Sequence, residues 1–274
     1  MVLRIFKFCA FFFLLAASTA CHPQSIGNEK PLLAFDLSNF LNFADSSANE
    51  TLQVEKVFDG DTVLLSNGQH VRFLGINTPE VAGHSRPAQA GGSIAKQWLI
   101  QQMEHQPVKL EYDQEKQDRY GRTLAYLFNE QGLNINLELV RSGLATVSIF
   151  PPNLKYTDAL LTAQDEAEQA GLGLWALADY APLAHTALNE TNFHGWKRIS
   201  GQILTLKQQG KSQYLAFSKQ LVLQIENRYL DLFPALASYV GKNIEARGWL
   251  YKTKTRYVLP IKHPGDIKLI ESKD

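Results

Sequence analysis

Asp59-Gly60-Asp61-Thr62-Val63-Leu64-Leu65-Ser66-Asn67-Gly68-Gln69-His70-Val71-Arg72-Phe73-Leu74-Gly75-Ile76-Asn77-Thr78-Pro79-Glu80 is the stretch from which the rest of the chain is read. Asn67-Gly68 between two apolar runs is a strong short-range hairpin signal, and it predicts strands over 62–65 and 70–76. Side chains alternate along a strand, so Val71 and Phe73 share one face and Arg72 takes the other. The hairpin therefore carries acidic turn residues at one end, an arginine on its outer face and Glu80 just beyond it. Carboxylate and carbonyl oxygens in a turn suit a hard divalent cation. A guanidinium fork suits the oxygens of a phosphate. Together they make a phosphodiester-binding site the leading expectation.

Upstream, Arg4 and Lys7 precede an apolar run, Phe8 to Leu15, followed by small residues and Cys21. A basic start, a short apolar core and a small-residue cleavage zone predict a signal peptide over 1–20, too short to span a bilayer. Ser18-Thr19-Ala20-Cys21 is similar to a bacterial lipobox, with Ser18 where an aliphatic residue is usual. Cys9 and Cys21 are the two cysteines, so the mature chain has no disulfide or thiolate metal site in its body. The expectation is export across a bacterial inner membrane and a lipid anchor on Cys21, in the periplasm or outer envelope. An Asn- and Ser-rich linker, 21–50, would hold the folded part off the membrane.

Downstream, apolar spacing predicts a helix over 93–103, strands over 108–112 and 123–128, a short helix near 135–142, and a last helix over 156–170 ending at Gly171. Strands followed by helices predict an α+β domain over 51–176, an OB-type five-stranded barrel with three helices. Residues 177–194 read as a connector. From 195 to 274, three strands, a helix near 230–239 and two strands match the order of a second, smaller OB-like barrel. Trp196, Lys197 and Arg198, with Lys252, Lys254 and Arg256, mix aromatic and positive side chains there. Such surfaces bind single strands or sugars in OB folds, and equally occur as solvated basic hairpins.

Hydrophobic residues make up 45% of the chain and charged ones 20%, a globular balance. Lys+Arg and Asp+Glu both number 27, so no overall positive field steers a polyanion, and any nucleic acid must be held by a local patch. A Walker phosphate loop and a dinucleotide fingerprint are absent, and the histidines lack metal-ligand spacing. Asp59-Gly60-Asp61 alone is ordinary turn chemistry, and Arg72, Glu80 or Arg122 alone would be a solvated residue. Their order and joint spacing are what discriminate.

Three stretches carry a resemblance to a known family: Asp59 to Val63, Arg72 to Glu80, and Asp118-Arg119-Tyr120-Gly121-Arg122-Thr123-Leu124-Ala125-Tyr126. Gly171-Leu172-Gly173-Leu174-Trp175 is similar to the end of the same domain. Over about 51–175 the chain resembles the staphylococcal nuclease-like (thermonuclease) family. That resemblance implies a Ca²⁺-dependent hydrolase of DNA and RNA, acting best on single or denatured strands. By position, Asp61, Asn77 and the backbone oxygen of Thr78 would hold Ca²⁺. Arg72 and Arg122 would contact the scissile phosphate, Glu80 would act on the attacking water, and Arg119 and Tyr120 would meet a neighbouring phosphate.

Two departures are visible. Asn77 stands where the family has aspartate, which keeps an oxygen and removes a charge. Ser148-Ile149-Phe150-Pro151-Pro152 replaces a tyrosine-bearing segment, and Phe150 can still stack on a base. The competing expectation from another class is a catalytically impaired module that binds nucleic acid or another polyanion at the cell envelope.

Overall fold

The computed structural model describes residues 52–83 and 87–270. The signal segment, the linker, Cys21 and His84 lie outside them. The hairpin forms about Asn67-Gly68, but its second strand ends at Phe73 and not at 76, because the chain turns at 74–75 with Gly75 in the left-handed conformation. After β1 (Val54–Val57), β2 (Thr62–Leu65) and β3 (His70–Phe73) pair antiparallel with Thr62 opposite Arg72 and Val63 opposite Val71. Gly68 takes the left-handed conformation that the turn requires, and the Asn67 side chain accepts a hydrogen bond from the Gln69 amide. Short β4 (Ile76–Asn77) follows, and α1 (Gly92–Met103) lies after the acidic turn. Next come β5 (Lys109–Glu111), β6 (Thr123–Phe128), α2 (Ile135–Arg141), β7 (Thr146–Val147) and α3 (Thr157–Gln169).

Strands β1-β2-β3-β6-β5 make a five-stranded sheet, with β3 and β6 parallel and Arg72 opposite Leu124. Strand β4 pairs with β7, placing Asn77 opposite Thr146. The architecture is α+β with three α-helices in this half. Its core joins Val63, Val71 and Phe73 from the hairpin to Leu99 and Met103 of α1, Leu139 of α2 and Leu160 of α3. Each such side chain contributes about 1.5–3 kcal/mol by leaving water, so the frame under the acidic turn is rigid. Asn136 is fully buried inside α2 yet satisfied: it accepts from the Leu127 amide at 3.0 Å and donates to the Leu74 carbonyl at 2.8 Å. It thereby ties the helix to β6 and to the chain leading into β4.

The remaining elements are β8 (Leu183–Ala184), β9 (Trp196–Gln202), β10 (Thr205–Gln209), β11 (Ser212–Ala216), β12 (Leu221–Glu226), β13 (Asn243–Trp249), β14 (Tyr251–Lys252), β15 (Tyr257–Ile261) and β16 (Ile267–Leu269). They form one sheet of order β10-β11-β12-β15-β14 and another of order β16-β13-β9-β8, around a second core that includes Ile199, Phe217, Leu223 and Leu259.

Three further expectations are corrected here. The helix expected near 230–239 is two separate 3-10 turns, Asn227–Leu232 and Leu236–Tyr239. Pro234 disfavours helical backbone at the residue before it, and Phe233 is extended. The expected connector contributes structure of its own: Tyr180 is buried, and β8 adds to the second sheet beside β9. Arg198 is no surface cation. It is buried with Arg247 against Glu168 of α3 and Glu245 of β13, closing the seam between the two halves. Among the described residues no helix is long and apolar enough to cross a membrane.

Candidate active site

The turn between β1 and β2 folds back on itself because the Asp59 carboxylate accepts the Asp61 amide at 3.0 Å. Gly60 between them is required by space. A Cβ there would lie 2.7 Å from Thr78 Cγ2 and 2.7 Å from Ala95 Cβ. The bare backbone lets Thr78 reach Asp61, which is only 5% exposed. Asp61 Oδ2 accepts from the Thr78 amide at 2.7 Å and from the Thr78 hydroxyl at 3.1 Å, and Oδ1 accepts from the Thr62 hydroxyl at 3.2 Å. Burial, and then the charge of Asp61, push the Asp59 carboxyl up to about 6.

Arg72 faces this turn from the polar side of β3. Its Nη1 lies 3.1 Å from Asp61 Oδ2 and donates to the Phe73 carbonyl at 3.0 Å, while Nη2 donates to Asn77 Oδ1 at 3.0 Å. The guanidinium plane is thus fixed across Asp61 and Asn77, and Nε makes no hydrogen bond to the described residues. Asn77 in turn donates from Nδ2 to the Thr78 carbonyl at 2.9 Å, and its own carbonyl accepts from the Thr146 hydroxyl at 3.2 Å. Asp61, Arg72, Asn77 and Thr78 therefore form one bonded cluster.

Glu80 is held by its backbone: its amide donates to Gln89 Oε1 at 3.0 Å, and its carbonyl accepts from the Gln89 amide at 2.9 Å. Helix α1 begins against it, because a Cβ on Gly92 would lie 2.5 Å from the Glu80 carbonyl oxygen. Gln89 and Gly92 escaped the sequence reading. So did Thr146 and Gln164, whose Oε1 takes the Val147 amide at 2.8 Å. Each acts through backbone bonds that no local spacing announces.

Arg122 belongs to a second cluster at the start of β6. Its Nε donates to Asp118 Oδ2 at 2.7 Å, and the Asp118 carboxylate also takes the amides of Tyr120 and Arg122. Burial raises the Asp118 pKa, but these bonds and the Arg122 charge outweigh it and hold the group below its usual value. Tyr120 is 69% exposed, with the Arg119 and Arg122 guanidinium carbons 4.7 and 5.7 Å from its ring centre. A cavity of about 460 Å³ opens beside Arg122, Tyr120 and His70. The parallel pairing of β3 with β6 carries Arg72 and the residues after Arg122 side by side, while Arg122 makes its hydrogen bonds to Asp118. Phe150 stands apart from both clusters, with the Lys262 ammonium 3.4 Å from its ring centre.

The oxygens of Asp61, Asn77 and Thr78 fit a hard cation in kind: one carboxylate, one amide oxygen, one backbone carbonyl. Among the described residues no cluster of three His, Cys, Asp or Glu side chains has metal-binding geometry. Arg72 supplies the positive charge against Asp61 in this arrangement, and Asn77 turns its amide nitrogen toward Thr78.

The arrangement has relatives. A model described as staphylococcal nuclease homologue matches residues 70–177. The thermonuclease of Staphylococcus intermedius is 39% identical over 129 residues, 46% of this chain and 76% of the relative. The thermonuclease of Staphylococcus hyicus is 36% identical over 135 residues, 48% of this chain and 79% of that protein. An uncharacterized endonuclease of Haemophilus influenzae is 34% identical over 137 residues, covering 48% and 70% respectively. The matched residues include Arg72, Asn77, Glu80 and the second arginine turn, and with the coverage of the two thermonucleases they show that this chain belongs to the staphylococcal nuclease homologue family.

Proposed function

We propose that this protein is a Ca²⁺-dependent nuclease that hydrolyses phosphodiester bonds of DNA and RNA, exported and held at the bacterial envelope by a lipid on Cys21. The nuclease half would be an OB-type barrel over 51–176, and 195–274 an accessory OB-like barrel. The observation that carries the reading is the Arg72 guanidinium fixed between Asp61 and Asn77, with a second arginine, Arg122, in the turn that leads into the strand paired with β3.

Asp61, Asn77 and the Thr78 carbonyl would hold Ca²⁺, which when bound supplies positive charge against a non-bridging phosphate oxygen. Arg72 and Arg122 would orient that phosphate and stabilise the charge that grows on it in the transition state. Glu80 accepts a proton from the attacking water as its oxygen bonds to phosphorus. The phosphorus bond to the leaving oxygen breaks opposite the water and that oxygen takes a proton from solvent, with Arg119 and Tyr120 gripping the next phosphate along. No covalent enzyme intermediate is needed.

The test is hydrolysis of denatured DNA and of RNA by protein beginning after Cys21, with a Ca²⁺ titration and an EDTA control. Cleavage that requires Ca²⁺ and is lost in Arg72→Ala and Glu80→Gln is expected. Folded protein that cleaves nothing at millimolar Ca²⁺ or with other divalent ions would leave a binding module instead. The Asn77 amide is the feature on which that second reading rests.

A further inference from the structure

Phe150 leads away from the acidic cluster to a pocket in the seam between the two halves. The pocket has a volume of about 100 Å³ and is walled by 147–150 on one side and by Trp196, Trp249, Lys262 and Asp266 on the other. Its near wall follows directly from β7, the strand paired with Asn77, and the Ser148 amide is fixed to the Gly75 carbonyl at 2.9 Å. The far wall is aromatic. Trp249 and Trp196 face each other across β13 and β9, and Trp249 remains 40% exposed beside Phe150, itself 54% exposed. These rings present area that a flat apolar group would cover.

The charge of the pocket is also incomplete. Arg247 at its rear is consumed by Glu168 and Glu245. Lys262, part-buried at the mouth, makes no ion pair among the described residues and rests on the Phe150 ring. Asp266 faces it but spends its Oδ2 on the amides of Lys262 and His263, at 3.1 and 3.2 Å. Burial lowers the Lys262 pKa; Asp266 and Glu226 oppose this, and the charges of Arg228 and Arg119 add to it.

A cation with no direct ion pair among the described residues and two exposed aromatic rings, one of them on the chain that runs on from the strand paired with Asn77, match the repeating chemistry of one polymer. We infer that the seam pocket is a second contact for single-stranded nucleic acid, with a base stacked among Trp249 and Phe150 and its phosphate on Lys262. The inference rests on the nuclease reading for the direction of the strand. It gives the C-terminal half a role in holding substrate beyond the scissile bond. Aromatic stacking of this kind tolerates every base, so the contact selects for unpaired strands and against sequence.

The experiment is fluorescence anisotropy of labelled thymidine dinucleotide and dodecanucleotide, in EDTA so that no turnover occurs, with full-length mature protein. Native protein is expected to gain affinity with length. Trp249→Ala should erase about tenfold of that gain, the effect of one stacked base. Lys262→Gln should lower the slope of log affinity against log salt by about 0.7, the mark of one lost phosphate contact on a single strand, and Lys262→Arg should restore it. Unchanged length dependence and salt slope in folded variants overturn the inference. Hydrolysis plays no part in the titration. An inactive protein with this length dependence therefore keeps the pocket and loses the nuclease reading.

Discussion

Two regions of this molecule set guanidinium against carboxylate, and they do so to different ends. In the seam, Arg198 and Arg247 meet Glu168 and Glu245, two positive and two negative groups in a closed set. Both guanidiniums also lie over the Trp175 ring, their carbons 5.6 and 6.0 Å from its centre. Around Asp61 the set is open: Asp59 and Asp61 share one arginine, and burial, with the Asp61 charge adding to it, raises the pKa of Asp59. A charge-balanced buried network has nothing left to offer a ligand. An unbalanced one stores a demand for positive charge, which a metal ion can meet.

The largest expected effect belongs to the closed set. Glu245→Ala leaves two buried guanidiniums with one carboxylate and should cost about 3–5 kcal/mol in urea unfolding. Burial raises the Glu245 pKa, but Arg198 and Arg247 outweigh it and hold the group low. A depressed carboxyl stabilises the fold above its unfolded value, so the native protein should lose this contribution as pH falls below about 4.5. Arg72→Ala, by contrast, should reduce kcat by about 10²–10³, equal to about 2.7–4 kcal/mol of transition-state stabilisation. Its unfolding midpoint should move less than that of Glu245→Ala. If the two variants exchange these outcomes, the distinction between a structural and a functional pair is lost.

Asp59→Asn tests the surplus charge itself. A carboxyl raised in the fold stabilises it below the unfolded pKa of 3.8, and that contribution disappears as pH rises through about 6. Asn keeps the oxygen that the Asp61 amide needs and removes the charge. In EDTA at pH 7 the variant should therefore gain about 3 kcal/mol, and the gain should fall below about 1 kcal/mol near pH 4. An Asp59→Asn protein no more stable than the native one would mean the acidic turn is not strained by its own charge.

The two regions were unequally legible. Asp61, Arg72 and Glu80 lie within one hairpin and its exit, where alternation and turn chemistry marked them, while Asn77 and Thr78 were named by the family resemblance. Arg122 was legible as a phosphate-directed arginine, but its bond to Asp118 was not separated from the rest of its turn. The seam was not legible. Arg198 finds partners 30 and 47 residues away, on α3 and β13, and along the sequence it reads as one more surface cation beside Lys197. The helix expected near 230–239 failed for a local reason, because apolar spacing was weighed above Pro234. Gln89 and Gly92 fix the backbone of Glu80 through contacts that depend on how α1 docks. Local chemistry therefore marked the charged groups of the candidate site, and non-local packing decided what holds them still.

The smallest effect is the one that most sharpens the comparison. In Asn77, Nδ2 donates to the Thr78 carbonyl while Oδ1 accepts from Arg72. Asn77→Asp keeps the second bond, loses the first and adds a charge to a set already short of positive charge. In EDTA the variant should be less stable by about 1 kcal/mol, the worth of one hydrogen bond. With Ca²⁺ the sign should reverse, because the freed Thr78 carbonyl and the new carboxylate are both cation ligands. Calorimetric titration should show Ca²⁺ bound about tenfold more tightly, a gain of about 1.4 kcal/mol. A variant that binds Ca²⁺ no better than the native protein would move the cation away from Asn77. An open charge set would then mark this site without specifying its metal.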